Sequence, residues 1–229
     1  MKQFEGIKFI AFDLDGTLLD SVPDLAEAAD KAMQALGRDR VTVEQVTRWI
    51  GNGADILIGR ALSQSLELDP ELDPALHQEA RALFDRFYDE GGHKQSHLYA
   101  GVKETLAAFH QANIPMAIVT NKPAQFVPHL LEQHGISEYF VDVIGGDTFP
   151  LKKPDPFALH WLMEKHQLAA CEMLMIGDSR NDILAAQAAT CRVVGLTYGY
   201  NYGQPISASN PDVVLDQFSQ LIDVVKLAC

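Results

Sequence analysis

Short apolar segments recur along the chain at intervals that are typical of an α/β protein. Five of them have the length of a strand that is buried on both faces of a sheet. They cover residues 7–12, 114–119, 140–144, 172–177 and 191–197. Amphipathic stretches with the spacing of surface helices lie between the later segments, at residues 101–112, 123–134 and 179–189. This alternation predicts a parallel, Rossmann-like sheet with helices on both faces.

One interval does not follow this alternation, because residues 21–92 hold helical runs and no convincing strand. The runs cover residues 23–36, 43–50, 54–66 and 74–90. An interval of roughly seventy residues is too long for a single crossover, which needs about a dozen. It therefore predicts an all-helical domain inserted after the first strand. We expect residues 18–93 to form this cap, and residues 1–17 and 94–229 to form a discontinuous α/β core. The linker at residues 91–101 begins with two glycines and allows a hinge.

The net charge of the chain limits the kinds of partner that we expect it to bind. The 229 residues include 31 acidic and 18 basic side chains, so the formal net charge is −13. The resulting field repels nucleic acid and anionic membrane surfaces, and neither is expected as a partner. An anionic substrate has to be held by a few local cations.

The cysteines and the N-terminal segment indicate the compartment. Cys171, Cys191 and Cys229 are odd in number and lack metal-type spacing, which is typical of free thiols in a reducing compartment. No signal peptide or membrane-spanning segment is recognisable, so we expect a cytoplasmic protein. Either a monomer or a small homo-oligomer is compatible with the sequence.

Polar residues follow the predicted strands at the points where those strands end. The residues are Asp13 and Asp15; Thr120, Asn121 and Lys122; Gly145, Gly146 and Asp147, with Lys152 and Lys153 further on; and Asp178, Ser179 and Asp182. In open parallel sheets, ligands bind outside the carboxyl ends of the strands. Clustered carboxylates repel each other, and a bound divalent cation relieves that repulsion. Oxygen ligands favour Mg²⁺ over softer metals.

Each of these residues also has a purely structural interpretation. An aspartate after a strand is often a turn residue, and Asp178 can cap the helix that starts at residue 179. Thr120 can be another cap and Lys153 an exposed loop charge. Taken together, these residues favour a functional interpretation over a structural one, because every one of these strand ends supplies a group suited to binding phosphate or metal.

Four ordered motifs resemble those of the haloacid dehalogenase superfamily of phosphohydrolases. They are DLDGTLLDS at residues 13–21, VTNKP at 119–123, KKPDP at 152–156 and GDSRND at 177–182. The helical insertion resembles the C1-type cap of this superfamily. Within the cap, RWIGNGADILIGRAL at residues 48–62 is similar to the corresponding segment of bacterial phosphoglycolate phosphatases. The resemblance implies a phosphatase that acts on a small phosphorylated metabolite, most simply 2-phosphoglycolate.

The resemblance also implies roles for the aspartates. Asp13 is expected to attack phosphorus and form an aspartyl phosphate. Asp15 is expected to protonate the leaving group and then to deprotonate the attacking water. The implied Mg²⁺ ligands are the carboxylates of Asp13 and Asp178 and the backbone carbonyl of Asp15.

Four further residues complete the implied site. Thr120 and the backbone N–H of Asn121 are expected to bind phosphate oxygens. Lys153, which directly precedes a proline as in the superfamily motif, is expected to neutralise charge on Asp13 and on the substrate. Asp182 is expected to orient Lys153 or a metal-bound water, and Lys152 is expected to be an exposed neighbour.

Substrate choice is expected to depend on the cap. Gly51, Asn52 and Gly53 form a turn before a predicted helix whose free N–H groups can receive a carboxylate, with Arg60 as a possible second contact. The alternative stays open, because Gly-Asn-Gly between helices is most often a simple turn and a helical arginine is most often solvated. Arg48 shares this ambiguity.

Other functions use some of the same residues. A dehalogenase is disfavoured, since it needs no acid at Asp15. A pyrophosphatase, a sugar-phosphate phosphatase or a β-phosphoglucomutase-like enzyme shares the core motifs, so each of these stays an alternative function. A phospho-accepting signalling module also uses an acidic pocket with a threonine and a lysine, but it needs no long cap.

His93 and His97 have the spacing of two metal ligands on a helix. They lack a third ligand and are interpreted as surface histidines.

Overall fold

The computed structural model describes residues 3–226. Its strands are β1 Phe9–Phe12, β2 Leu19–Asp20, β3 His97–Leu98, β4 Met116–Val119, β5 Phe140–Ile144, β6 Met173–Gly177, β7 Arg192–Leu196 and β8 Val213–Leu215. Its α-helices are α1 Val22–Ala35, α2 Val43–Trp49, α3 Ala54–Ser63, α4 Pro74–Gly91, α5 Val102–Gln111, α6 Val127–Gln133, α7 Phe157–Lys165, α8 Arg180–Ala188 and α9 Leu221–Val224.

Six parallel strands form the main sheet in the order β5-β4-β1-β6-β7-β8. All residues of β1, β4 and β6 are buried, as expected for a parallel sheet covered on both faces. The five strands expected from the apolar segments are present, and the α/β fold class is confirmed. The order places β1 between β4 and β6, so the loops after these three strands converge at one edge.

Two strand features escaped the sequence analysis because they are too short to show a period. The three-residue strand β8 extends the sheet beyond β7. The two-residue strands β2 and β3 pair antiparallel, with Leu19 opposite Leu98 and Asp20 opposite His97. This short ribbon joins the chain segments that enter and leave the helical insertion.

Helices α1 to α4 pack against one another around their own hydrophobic cluster. Met33, Val46, Ile58 and Phe84 lie at its centre. Local signals explain the helix ends: Thr42 and Gln45 form a capping box at the start of α2, and α4 stops at Gly92 with φ 66°. The proposed boundaries of the cap, residues 18–93, remain a prediction.

The interpretation of His93 as a surface histidine is wrong. Its side chain is 1% exposed, and its ring lies 4.3 Å from that of Tyr88 and 6.2 Å from that of Phe126. The left-handed turn at Gly92 directs the chain back beneath α4, where the imidazole completes an aromatic cluster. His97, in contrast, is exposed in β3.

The structure also bears on the expectations for membrane-spanning segments and for the cysteines. Among residues 3–226, none of the helices combines the length and apolar character needed to cross a membrane. Cys171 is exposed and Cys191 is buried, each with a free thiol, and Cys229 lies outside the described residues.

Candidate active site

Asp13 and Asp15 lie directly after the central strand β1. Asp13 extends the sheet by donating its backbone N–H to the carbonyl of Ile176 at 2.9 Å, which fixes its position beside β6. Leu14 is fully buried between the two aspartates, and both carboxylates line one cavity. The chain bends at Leu14, directly after β1, and the aspartates on either side of this bend reach the same cavity.

Lys153 links two of the predicted aspartates. Its ammonium lies 2.9 Å from Oδ1 of Asp13 and 2.6 Å from Oδ1 of Asp182, and the side chain is only 4% exposed. Oδ2 of Asp182 accepts hydrogen bonds from the backbone and hydroxyl of Ser179 at 3.0 and 2.9 Å. Asp182 is thereby held at the start of α8 in contact with Lys153, and Lys152 is exposed as expected.

Three buried carboxylates form a cluster that is suited to a cation. One oxygen from each of Asp13, Asp178 and Asp182 lies within 4.8 Å of the others. Burial raises the pKa of Asp13 to about 7, although Lys153 opposes the shift. Burial and the neighbouring Asp13 raise the pKa of Asp178 well above its usual value. Both shifts reflect burial first and repulsion between the carboxylates second, and a divalent cation would relieve both.

The donor set and its surroundings fit Mg²⁺. Asp182 is already neutralised by the Lys153 ammonium at 2.6 Å, whereas Asp178 accepts hydrogen bonds from two neutral donors, the hydroxyl of Thr17 and the backbone N–H of Tyr200. The negative charge of Asp178 is thus less compensated, and Asp13 with Asp178 is the better ligand pair. A Cβ atom added to Gly16 or to Gly199 would lie 2.3 Å from Oδ2 of Asp178, so two glycines keep the space beside this carboxylate open.

Thr120 and Asn121 end β4 and are both buried. Oγ1 of Thr120 accepts the backbone N–H of Lys122 at 3.2 Å, which folds the loop tightly around the cavity. The Asn121 side chain donates to the carbonyls of Gly51 and Lys153, both at 2.9 Å. Asn121 thus joins three segments and belongs to the lining of the cavity.

Lys122 is a component of the cavity that the sequence analysis did not assign. It is 5% exposed, and its ammonium lies 3.1 and 3.3 Å from the two carboxylate oxygens of Asp15. Burial lowers the pKa of Lys122, but the neighbouring Asp15 and Tyr88 together raise it by more, so the net shift is upward. The sequence placed Lys122 at a strand end within VTNKP, but only the fold shows its pairing with Asp15.

Of the four predicted cap residues, Gly51 and Gly53 line the cavity, whereas Asn52 and Arg60 lie outside its lining. Gly51 also accepts a hydrogen bond from Asn181 of the core at 3.0 Å. Asn52 accepts the hydroxyl of Tyr202 at 2.9 Å. Arg60 instead donates to the carbonyl of Leu66 and lies over the Tyr202 ring, outside the lining of the cavity.

The cavity lies between the carboxyl ends of the strands and the helical insertion. Core residues of its lining include Asp13, Asp15, Thr120 and Lys122. The helices contribute a mostly apolar wall: Leu25, Ile50, Leu57, Phe84 and Tyr88. The ends of the strands thus supply the charged groups of the cavity, and the helical insertion supplies most of its apolar side chains.

The family model of the haloacid dehalogenase-like hydrolases matches residues 10–196, which contain every residue of this cavity. The chain belongs to that family. The membership expected from the four motifs is confirmed.

Individual members of the haloacid dehalogenase-like family match the chain over its whole length. The phosphoglycolate phosphatase of Photobacterium profundum is 98% identical over 100% of both chains. That of Vibrio vulnificus strain YJ016 is 67% identical over 97% of both chains. The crystal structure of a predicted phosphoglycolate phosphatase from Haemophilus somnus is 39% identical, with a TM-score of 0.90 and coverage of 96% of this chain and 98% of that one.

Proposed function

We propose that this chain is a Mg²⁺-dependent phosphatase that hydrolyses 2-phosphoglycolate to glycolate and phosphate. The observation that carries the proposal is the placement of Asp13 and Asp15 in one covered cavity, with Lys153 2.9 Å from Asp13. The names of the relatives that match over the whole chain support the substrate.

The first half of the reaction uses both aspartates. A carboxylate oxygen of Asp13 attacks phosphorus, the bond to the glycolate oxygen breaks, and Asp15 transfers its proton to that oxygen. Lys153 neutralises charge on Asp13 and on the phosphoryl oxygens. Thr120 and the backbone of Asn121 orient the phosphoryl group.

The second half regenerates the enzyme. Asp15, now a carboxylate, accepts a proton from water, whose oxygen attacks phosphorus and releases Asp13 and inorganic phosphate. Asp13 and Asp178 would hold Mg²⁺ together with the Asp15 carbonyl, and the ion would stabilise charge on the transferring phosphoryl group.

The helical insertion is proposed to close over the substrate. Residues 18–93 would move relative to the core of residues 1–17 and 94–229, with the β2–β3 ribbon as the connection. Closure would exclude water while Asp15 is still protonated.

A phosphate-release assay tests this function. The purified chain is incubated with Mg²⁺ and a panel of small phosphomonoesters, and we expect repeated turnover with preference for 2-phosphoglycolate. The Asp13→Asn variant is expected to lose about a thousandfold or more in rate, since it lacks the nucleophile. Full activity of that variant, or release of a single phosphate per chain, would overturn the proposal.

A further inference from the structure

Lys122 is a buried cation within an otherwise apolar part of the cavity. The side chains around this part include Leu25, Leu57, Phe84 and Phe126. A charge in such surroundings needs a counter-charge, because an unpaired buried ion strongly destabilises the folded state. In the structure, Asp15 supplies that counter-charge at 3.1 Å.

Asp15 does not exhaust this ammonium, which carries three N–H donors. An anionic group of the substrate beside Lys122 would accept a further hydrogen bond from a cation, in surroundings of low polarity where such a bond is strong. The cavity therefore favours a substrate with a second negative charge.

A second polar group in the cavity has a proton that no described residue accepts. The hydroxyl of Tyr88, on α4, is buried beside the Lys122 ammonium, and none of residues 3–226 offers it an acceptor in hydrogen-bonding geometry. The side chain is 1% exposed and lines the cavity, with the Lys122 ammonium 4.6 Å from the centre of its ring. Burial raises the pKa of Tyr88 to about 12, so the hydroxyl keeps its proton and is available as a donor.

The start of α3 adds weaker support. Gly53 precedes this helix without a side-chain cap, and Gly53 and Ala54 line the same cavity. Free N–H groups in the first turn of a helix favour an anion.

We infer that Lys122 and Tyr88 form a binding subsite for the carboxylate of the substrate. This inference rests on the proposed function and specifies its substrate class, short phosphorylated carboxylic acids. In 2-phosphoglycolate a single methylene group separates the leaving oxygen from the carboxylate. When the leaving oxygen of the substrate contacts Asp15, its carboxylate therefore lies next to Lys122, which is paired with Asp15, and within reach of the Tyr88 hydroxyl.

The ratio of two specificity constants tests the subsite. We compare kcat/KM for 2-phosphoglycolate with kcat/KM for ethyl phosphate, which has the same carbon skeleton without the carboxylate. Loss of one hydrogen bond to a charged group is expected to lower this ratio about tenfold or more in Tyr88→Phe. Lys122→Met is expected to lower it further, about a hundredfold. Using the ratio cancels effects of either variant on the phosphoryl chemistry that both substrates share.

Matched substitutions outside the cavity serve as controls. Tyr139→Phe removes a hydroxyl from a half-buried ring, and Lys103→Met removes an exposed charge. Both are expected to keep the wild-type ratio. If Lys122→Met does not fold, as judged by circular dichroism, Tyr88→Phe decides the question alone.

The outcomes distinguish the subsite from the function. A wild-type chain that hydrolyses both substrates equally well would overturn the proposed function, and the subsite with it. A wild-type chain that prefers 2-phosphoglycolate, together with an unchanged ratio in Tyr88→Phe, would overturn the subsite and leave the function standing.

Discussion

The hydroxyl of Tyr202, in the segment after β7, donates a hydrogen bond of 2.9 Å to Oδ1 of Asn52, in the segment before α3. The same hydroxyl accepts the side-chain N–H of Asn181 at 2.9 Å. The guanidinium groups of Arg60 and Arg180 lie 5.6 and 5.3 Å from the centre of the Tyr202 ring. Tyr202 therefore fastens the loop before α3 to the segment after β7. This contact is separate in sequence from the β2–β3 ribbon, which also connects the helical insertion to the core.

Removing the Tyr202 hydroxyl is expected to loosen this loop. Tyr202→Phe keeps the ring between the arginines but loses two hydrogen bonds, each of which contributes about 1 kcal/mol. We expect KM for 2-phosphoglycolate to rise roughly threefold to tenfold, with a smaller change in kcat. Hydrogen exchange at residues 51–53 should quicken, and Tyr139→Phe is the control. Unchanged exchange at these residues would show that the contact does not hold the loop.

Gly16 is expected to be essential for metal affinity. Its φ is 89°, and an added Cβ would lie 2.3 Å from Oδ2 of Asp178. Gly16→Ala should therefore raise the Mg²⁺ concentration for half-maximal activity about tenfold or more, because it displaces a proposed ligand. Gly37→Ala is the matched control, since its φ is 63° and no atom lies within 4 Å of the added Cβ. It introduces the same kind of backbone strain, about 1 kcal/mol, without the clash. Equal Mg²⁺ requirements in both variants would contradict the prediction.

Asp182 is expected to act through Lys153. Asp182→Asn keeps the shape of the side chain but removes the charge that lies 2.6 Å from the ammonium. In this variant we expect kcat to fall about tenfold to a hundredfold, with little change in KM. In Lys153→Met we expect kcat to fall about a thousandfold. Steady-state kinetics measure both values, and Asp155→Asn in the same loop as Lys153 is the control. If Asp182→Asn lost as much kcat as Lys153→Met, Asp182 would have a direct role in the chemistry.

His93 is expected to make the fold sensitive to acid. Burial lowers the pKa of this imidazole to about 4, and the charged or titratable groups that face it are Lys122, Asp24, His129 and Asp89. Between pH 6.5 and 4 the unfolded chain binds a proton that the folded chain excludes, so the free energy of unfolding falls as the pH falls through this window. Above pH 6.5 this contribution is fully present.

The variant His93→Phe keeps an aromatic ring in the cluster and cannot take up a proton. Urea denaturation at several pH values should show a flatter dependence between pH 6.5 and 4 than in the wild-type chain. The same slope in both proteins would mean that His93 stays neutral in the unfolded chain or is protonated in the folded one.

Much of the fold was predictable because its signals are local. Each strand of the sheet that exceeds three residues is an apolar run in the sequence, and Asp13, Thr120 and Asp178 each follow such a run. Parallel strands align their carboxyl ends, so the position of these residues in the chain implied their convergence. The predicted contact between Asp182 and Lys153 is present for the same reason.

The sequence by itself thus determined the α/β class, the family and the residues at the strand ends. Tertiary structure alone decided the pairing of Lys122 with Asp15 and Tyr88, the burial of His93 and the contact between Tyr202 and Asn52. The last of these joins residues 150 positions apart, and the contact of Asn121 with Gly51 spans 70. Such contacts depend on how the helical insertion packs onto the sheet, and no periodicity of either segment encodes that packing.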